Sequence, residues 1–302
     1  MTRISIIGVP MDLGADRRGV DMGPSALRYA DLNEKLQEQG HEVEDLGDMD
    51  VIIPEMRHFG DPKAKYLREI SDACTHLAHT VLRVYEEGRT PLVLGGDHSI
   101  AMGTVSGMSE SFRRQKKKLG LIWFDAHSDM NTPEISPSGN IHGMPMAAIM
   151  GYGPRELTHI YDFSPKMQPE NVVLIGIREV DVEERKVVKK SGVRVFTMKE
   201  IDRRGIGAVM DEALSILTKG TDGIAVTLDA DFLDPEESPG VATPVRGGAD
   251  YREAHLAMEM IADTRKMVSF EITEINPILD ERNKTAHFAA ELILSAFGKQ
   301  IL

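Results

Sequence analysis

Asp125, His127 and Asp129 stand two residues apart near the middle of the chain, within Trp123-Phe124-Asp125-Ala126-His127-Ser128-Asp129-Met130-Asn131. In extended backbone every second side chain points the same way. Where a strand opens into a loop, the three can therefore converge. Carboxylates together with imidazole suit a divalent cation with mixed oxygen and nitrogen ligands. Taken alone, the stretch could equally be a solvated acidic turn with a chance histidine. Three other segments share its character. Gly95-Gly96-Asp97-His98-Ser99 ends the apolar run Pro91-Leu92-Val93-Leu94, and Asp229-Ala230-Asp231 ends the run from Gly223 to Leu228. Glu274 follows the run from Met267 to Thr273.

Strand ends must position these groups, and the pattern of the chain supplies them. Short apolar runs read as buried strands at Arg3–Val9, His41–Leu46, Thr90–Leu94, Leu119–Ile122, Asn171–Ile177, Val193–Thr197, Gly223–Leu228 and Met267–Thr273. Between them lie helical patterns from Ser25 to about Gln39, Asp61 to Glu87, Ser99 to Arg114, Gly205 to Thr218, Asp250 to Asp263 and Asn283 to Phe297. Two more helices are expected after His142-Gly143-Met144-Pro145 and from Arg178. Asp250-Tyr251-Arg252-Glu253 reads as a capping box. Strands alternate with helices, and no linker or repeat divides the chain. The expectation is one three-layer α/β/α domain over residues 1–302, doubly wound, with a parallel sheet of about eight strands. In such folds the site lies beyond the carboxyl ends of the strands, where His98, Asp125, Asp229 and Glu274 all fall.

The candidate ligands are His98, Asp125, His127, Asp129, Asp229 and Asp231. Four carboxylates and two imidazoles exceed one small cation, whereas two divalent ions balance four aspartates in charge. Two ions about 3.5–4 Å apart, sharing a hydroxide as nucleophile, form the usual two-metal hydrolytic arrangement. Oxygen-rich ligation without cysteine points to manganese, magnesium or zinc, and the carboxylate share favours manganese.

The formal net charge of −13 argues against nucleic acid or an anionic membrane as main partner. The basic cluster Arg113-Arg114-Gln115-Lys116-Lys117-Lys118 is read as the C-terminal turn of a helix, where cations complement the dipole. The single cysteine, Cys74, permits no intramolecular disulfide and fits a reducing cytoplasm. It reads as a small core residue rather than a nucleophile. His76 and His79 on the long helical segment have no carboxylate partner and read as packing or surface residues. The N-terminus begins a strand with no signal-peptide pattern, and no apolar run is long enough to cross a bilayer.

Gly95-Gly96-Asp97-His98-Ser99, Asp125-Ala126-His127-Ser128-Asp129 and Asp229-Ala230-Asp231-Phe232-Leu233-Asp234-Pro235 resemble the three metal signatures of the ureohydrolase family in order and spacing. Within it, Asn131-Thr132-Pro133, Ser136-Pro137-Ser138-Gly139-Asn140-Ile141-His142-Gly143, Glu274-Ile275-Asn276-Pro277 and Gly19-Val20-Asp21-Met22-Gly23-Pro24 are similar to arginases rather than agmatinases. The resemblance covers nearly the whole chain. It implies hydrolysis of L-arginine to L-ornithine and urea by a metal-bridging hydroxide at a site of two Mn²⁺ ions. One ion would be held by His98, Asp125, Asp129 and Asp229, the other by His127, Asp125, Asp229 and Asp231. Asp97 and Asp234 would orient ligands or cap the following turns. Among the catalytic groups, beside the ligand Asp129, Glu274 would hold the guanidinium and His142 would carry a proton. Asn131, Ser138 and Asn140, with Ser136 in the same loop, would bind the α-carboxylate. Asp181, with Glu184 nearby, would receive the α-ammonium, although Asp181 could also be an N-cap. Thr243 would lie near the guanidinium. A homo-oligomer, trimer or hexamer, is implied by resemblance alone.

Two positions depart from the family pattern while keeping a hydroxyl: Thr227 replaces serine and Ser136 replaces threonine. Glu271 is polar for a buried strand and has no role in this reading. The nearest alternative is another amidinohydrolase, acting on agmatine or a guanidino acid, which would need neither Asp181 nor the Ser138–Asn140 clamp. A metallophosphoesterase would be expected to add an Asn-His motif and further histidine ligands, which are not found here. A non-catalytic metal-binding protein would not need the full set of six ligands plus Glu274.

Overall fold

The computed structural model describes residues 1–299. Eight strands form one sheet: β1 Arg3–Val9, β2 Glu42–Asp48, β3 Thr90–Gly95, β4 Leu119–Phe124, β5 Val172–Ile177, β6 Arg194–Thr197, β7 Gly223–Asp229 and β8 Met267–Thr273. Their order is β2-β1-β3-β8-β7-β4-β5-β6, and every pairing is parallel. Parallel strands covered on both faces carry continuous apolar runs rather than alternation. Leu119–Phe124 and Val172–Ile177 are buried at every position. The exception is β2, an edge strand largely exposed and rich in acids.

Alternate side chains of each strand feed two apolar layers. Ile4, Ile6, Leu92, Leu94, Ile122 and Phe124 pack with residues of helices Gly23–Tyr29, Leu32–Glu38, Ile206–Gly220, Tyr251–Thr264 and Lys284–Ala296. Ile7, Val9, Val93, Leu121 and Trp123 pack with those of helices Leu67–Glu86, Ala101–Arg114 and Pro145–Ile149. The three-layer α/β/α expectation holds.

The chain order matters for the site. From β3 the chain crosses to β4 and leaves room between them, which β7 and β8 later fill. The four strands that end in candidate ligands or Glu274 are thus consecutive neighbours, β3-β8-β7-β4, about 4.8 Å apart.

The helix expected from Ser25 to Gln39 is two helices, Gly23–Tyr29 and Leu32–Glu38, broken at Ala30-Asp31, where Asp31 takes φ 58°. The helix expected from Asp61 starts at Leu67, because Tyr66 lies at φ 54°. That expected from Arg178 starts only at Glu184. A helix at Met198–Arg204 escapes the periodic reading because Gly205 separates it from the next. The Asp250/Glu253 capping box forms in both directions. The helix Ala101–Arg114 ends at the basic cluster, where Arg113 and Arg114 both pair with Glu110. His76 and His79 are exposed. Among the described residues no helix is long and apolar enough to cross a membrane.

Cys74 is buried between helix and sheet, and its Sγ donates to the Ser99 carbonyl at 3.3 Å. Burial pushes its thiol well above the ordinary range. We expect no reaction of the native protein with a disulfide reagent at mildly alkaline pH, and one thiol per chain after unfolding in guanidinium. Rapid native labelling would show that Cys74 is not sealed in this core.

Candidate metal centre

The His98 ring is the first fixed point. Gly96 makes the turn after β3, and a Cβ there would collide with the Met11 backbone. The chain then enters a 3-10 turn, His98–Ile100, capped by the Asp97 side chain, which accepts from the Ser99 N–H at 3.0 Å. Asp97 also accepts from the Gly14 N–H at 2.8 Å, so it ties the loop after β1 to the site. The capping contact is one of the two roles expected of Asp97. Asp234 makes such contacts too, accepting from the N–H groups of Glu236, Gly247 and Gly248.

His98 Nδ1 lies 3.2 Å from one carboxylate oxygen of each of Asp125, Asp129 and Asp229. It is buried and has no hydrogen-bond partner. On the other side, His127 Nδ1 is 3.4 Å from Asp125 Oδ1 and 3.0 Å from Asp231 Oδ2. Two ligand groups result: His98, Asp125 and Asp229, and Asp125, His127 and Asp231. Asp125 belongs to both, with one oxygen toward each histidine. Asp229 Oδ2 faces His98, while its Oδ1 accepts from the Asp231 N–H at 2.8 Å.

Backbone groups aim the remaining oxygens. The His127 N–H donates to Asp125 Oδ1 at 2.6 Å and the Ala126 N–H to Asp231 Oδ1 at 3.1 Å. Even so, burial and the charge of Asp125 push Asp129 up to about 7. Burial, Asp231 and Asp125 together push Asp229 well up. Asp125, by contrast, is held far below the ordinary range, since His127 and His98 outweigh its burial. Like charges so close oppose ionisation unless cations join them. The unpartnered His98 Nδ1 and the converging oxygens fit divalent cations of the manganese, magnesium or zinc type.

A cavity opens from this cluster. His98, His127, Asp129 and Asp229 form its floor, and Asn131, Ser136, Ser138, Asn140, Asp181, Glu184 and Thr243 line the rest with His142. Glu274 lies beside the floor, buried, with Oε1 accepting from the His98 N–H at 2.9 Å and 3.0 Å from His142 Nδ1. Glu274 Oε2 is buried without a partner. Burial opposes charge on His142, but Glu274, Asp97 and Asp129 hold its ring up to about 9.

The Arginase family profile matches residues 2–298. The chain is 52% identical to the curated arginase of Bacillus caldovelox, with both chains fully covered. It superposes on a solved structure of arginase from that organism with TM-score 0.95. The chain belongs to the arginase family. It is accordingly a hydrolase. Arginase from Bacillus cereus superposes with TM-score 0.94 at 50% identity, again with full coverage of both chains. The more distant arginase of Entamoeba histolytica, solved with L-ornithine, superposes with TM-score 0.88 at 30% identity, over 99% of this chain and 100% of that one.

Within this arginase-family site, several side chains take contacts that the sequence reading did not give them. The Asn131 amide nitrogen donates to Asp181 Oδ2 at 3.0 Å and its Oδ1 is unpartnered, so it braces Asp181. Glu184 accepts from Ser128 Oγ, the Met130 N–H and the Asp181 N–H, and so clamps the Asp181 turn to the ligand loop. Ser136 Oγ accepts from the Gly139 N–H and Ser138 Oγ from the Asn140 N–H, which holds the loop's own shape. Thr243 Oγ1 donates to Asp231 at 3.1 Å.

Three supporting residues were missed. Trp123 Nε1 donates to Asp125 at 2.9 Å and its ring stacks on His98 at 4.1 Å. Arg178 donates to the carbonyls of Asp231, Leu233 and Val245, gripping the second ligand loop from outside. Lys65 donates to Asn140 Oδ1 at 2.9 Å and to Asp16 at 2.8 Å. Trp123 lay inside the quoted ligand stretch and could have been found from it. Arg178 and Lys65 carry no local signal, because their partners lie far off in sequence.

Manganese added to chelator-stripped protein should raise its melting temperature by roughly 10 °C, since saturation at a thousandfold Kd stabilises by about 4 kcal/mol. Asp129→Ala should lower bound metal per chain and activity together. Full metal content with normal turnover in Asp129→Ala would remove Asp129 from the ligand set.

Proposed function

We propose that the protein hydrolyses L-arginine to L-ornithine and urea with two manganese ions per chain. His98, Asp125, Asp129 and Asp229 would hold one ion, and His127, Asp125, Asp229 and Asp231 the other. When bound, such a pair supplies positive charge to the reacting centre and lowers the pKa of water toward about 7.

The side chains account for the rest. A guanidinium is cationic and planar, and needs an anion to fix it. Glu274 offers a buried, unpartnered Oε2 beside the cluster, while its Oε1 is held by the His98 N–H and His142. Asp129 lines the same floor, where a carboxylate can both bind a cation and face the reacting carbon. Hydrolysis breaks the bond from the guanidinium carbon to the side-chain nitrogen, and that nitrogen must gain a proton. His142 pairs with Glu274 through Nδ1 and lines the open cavity, and with its ring held up to about 9 it can give the proton of its other nitrogen to that leaving nitrogen and recover one from solvent.

The observation that carries arginine over agmatine is the polar end of the same cavity. Lys65 occupies Asn140 Oδ1, which leaves the Asn140 amide nitrogen as the donor for a substrate carboxylate. Ser138 Oγ lies in the same wall. Asp181, buttressed by Asn131 and Glu184, is the anion for the α-ammonium. The relative solved with L-ornithine carries the product of this reaction. A cytoplasmic homo-oligomer, trimer or hexamer, belongs to the same proposal and rests on the family resemblance.

Urea release from L-arginine and from agmatine, measured side by side on stripped protein given manganese, cobalt, zinc or magnesium, tests the whole reading. Arginine alone, restored best by manganese, is the expected result. Turnover of agmatine instead would keep the cluster and overturn the assignment of the Asn131–Asn140 loop. Asp181→Ala should raise KM for arginine by about 10- to 100-fold, the worth of a charged hydrogen bond, and leave agmatine hydrolysis nearly unchanged. Equal effects on both substrates would remove the ammonium role.

A further inference from the structure

Glu271 is a fully buried carboxylate in the middle of β8, and the reaction outlined above does not use it. Placing a carboxylate inside a sheet carries a desolvation cost of several kcal/mol unless its oxygens are satisfied. Two hydroxyls satisfy it. Thr104, on the helix Ala101–Arg114, donates to Oε2, and Thr227, its direct register partner on β7, donates to Oε1 at 2.9 Å. Thr227 Oγ1 is also 3.0 Å from His98 Nε2. A continuous buried chain therefore runs from Thr104 through Glu271 and Thr227 to the ring whose other nitrogen faces Asp125, Asp129 and Asp229.

We propose that Glu271, acting through Thr227, is a positioning residue that keeps the hydrogen of His98 on Nε2 and leaves the Nδ1 lone pair free for a divalent cation. A hydroxyl has one hydrogen, and an ionised carboxylate can only accept. Once Thr227 gives its hydrogen to Glu271, its oxygen can only accept from the ring. Nε2 must then be the donor, and a neutral ring carries its lone pair on Nδ1. Trp123, stacked on the ring at 4.1 Å, fixes the plane, and the Thr227 contact fixes the rotation within it. Remove Glu271 and the Thr227 hydrogen is released to point at Nε2, which favours the tautomer with hydrogen on Nδ1, the wrong one for a ligand. This inference rests on the metal reading of the site and does not depend on the substrate.

The test is equilibrium binding of manganese to stripped protein, read as free Mn²⁺ by paramagnetic resonance, together with the melting temperature of the metal-free protein. Glu271→Leu keeps bulk and removes the acceptor. Thr227→Val keeps shape and cuts the relay, and Thr227→Ser restores it. Glu271→Leu and Thr227→Val should each weaken manganese binding by tenfold or more, in the range seen when partners of a ligand are removed. Thr227→Ser should bind within about twofold of the unaltered protein. Metal-free Glu271→Leu should melt at or above the unaltered protein, since an apolar side chain replaces a buried charge. A purely structural role would give the opposite split, a lower melting temperature with unchanged binding, and would overturn the proposal. Failure of the unaltered protein to bind manganese would sink the metal reading itself, a result distinct from equal binding by all four proteins.

Discussion

Four aspartates held within reach of two histidines are the constraint around which this fold is arranged. Burial and mutual repulsion oppose the ionisation of Asp129 and Asp229, whose carboxyls are pushed upward. A flexible chain would spread them apart. The sheet prevents that by placing β3, β8, β7 and β4 side by side, each ending at the cluster. Strand spacing then sets the ligand spacing, and the apolar layers on both faces set the strand positions. Donors supply the remaining order: backbone N–H groups of Ala126, His127 and Asp231, and the Trp123 indole, all point at carboxylate oxygens.

Two site residues sit in backbone that L-residues seldom adopt. Asp129 has φ 51° and Glu274 φ 64°, the left-handed region. Such conformations cost of order 1 kcal/mol and persist where surroundings overdetermine them. Here they do. The Glu274 N–H donates to the Gly96 carbonyl at 2.8 Å, and the Asp129 carbonyl accepts from the Ala147 N–H at 3.0 Å. The turn at Glu274 brings its side chain back across β3 to the His98 N–H. A relaxed extension of β8 would carry that carboxylate past the floor of the cavity.

How legible this was depended on the range of each interaction. The three-layer class and the eight strands followed from local apolar runs. All six candidate ligands followed from period-two spacing at strand ends and from family resemblance, and the structure brings them together. Helix boundaries at Asp31, Tyr66 and Glu184 were misplaced because their breaks depend on left-handed residues and loop packing, which side-chain periodicity does not report. The partners of Arg178, Lys65 and Glu271 stayed hidden for a different reason. Arg178 acts on carbonyls 53 to 67 residues away, and Lys65 on an amide 75 residues away. Glu271 pairs with hydroxyls 44 and 167 residues distant. The bond from Asn131 to Asp181 was equally hidden, since an amide donates or accepts according to its neighbours.

The cluster and the substrate end of the cavity are built from different materials, and that difference has a consequence for specificity. Every candidate ligand lies on or just beyond a central strand, where the sheet fixes it. The end of the cavity proposed to take the substrate carboxylate lies on the loop from Asn131 to Asn140, which holds its shape through Ser136 and Ser138 and is moored to the Asp61–Tyr66 turn. Lys65 supplies two of those moorings, its N–H to the Gly139 carbonyl and its ammonium to Asn140. Gly139, at φ 72°, lies so close to Pro62 that a Cβ would strike its carbonyl. Loops can vary without disturbing the strands beneath them. A change of substrate can therefore arise at Lys65, Asn140 or Asp181 while the chemistry at His98 and Asp125 stays intact, which is how one metal-binding sheet can serve different guanidino compounds.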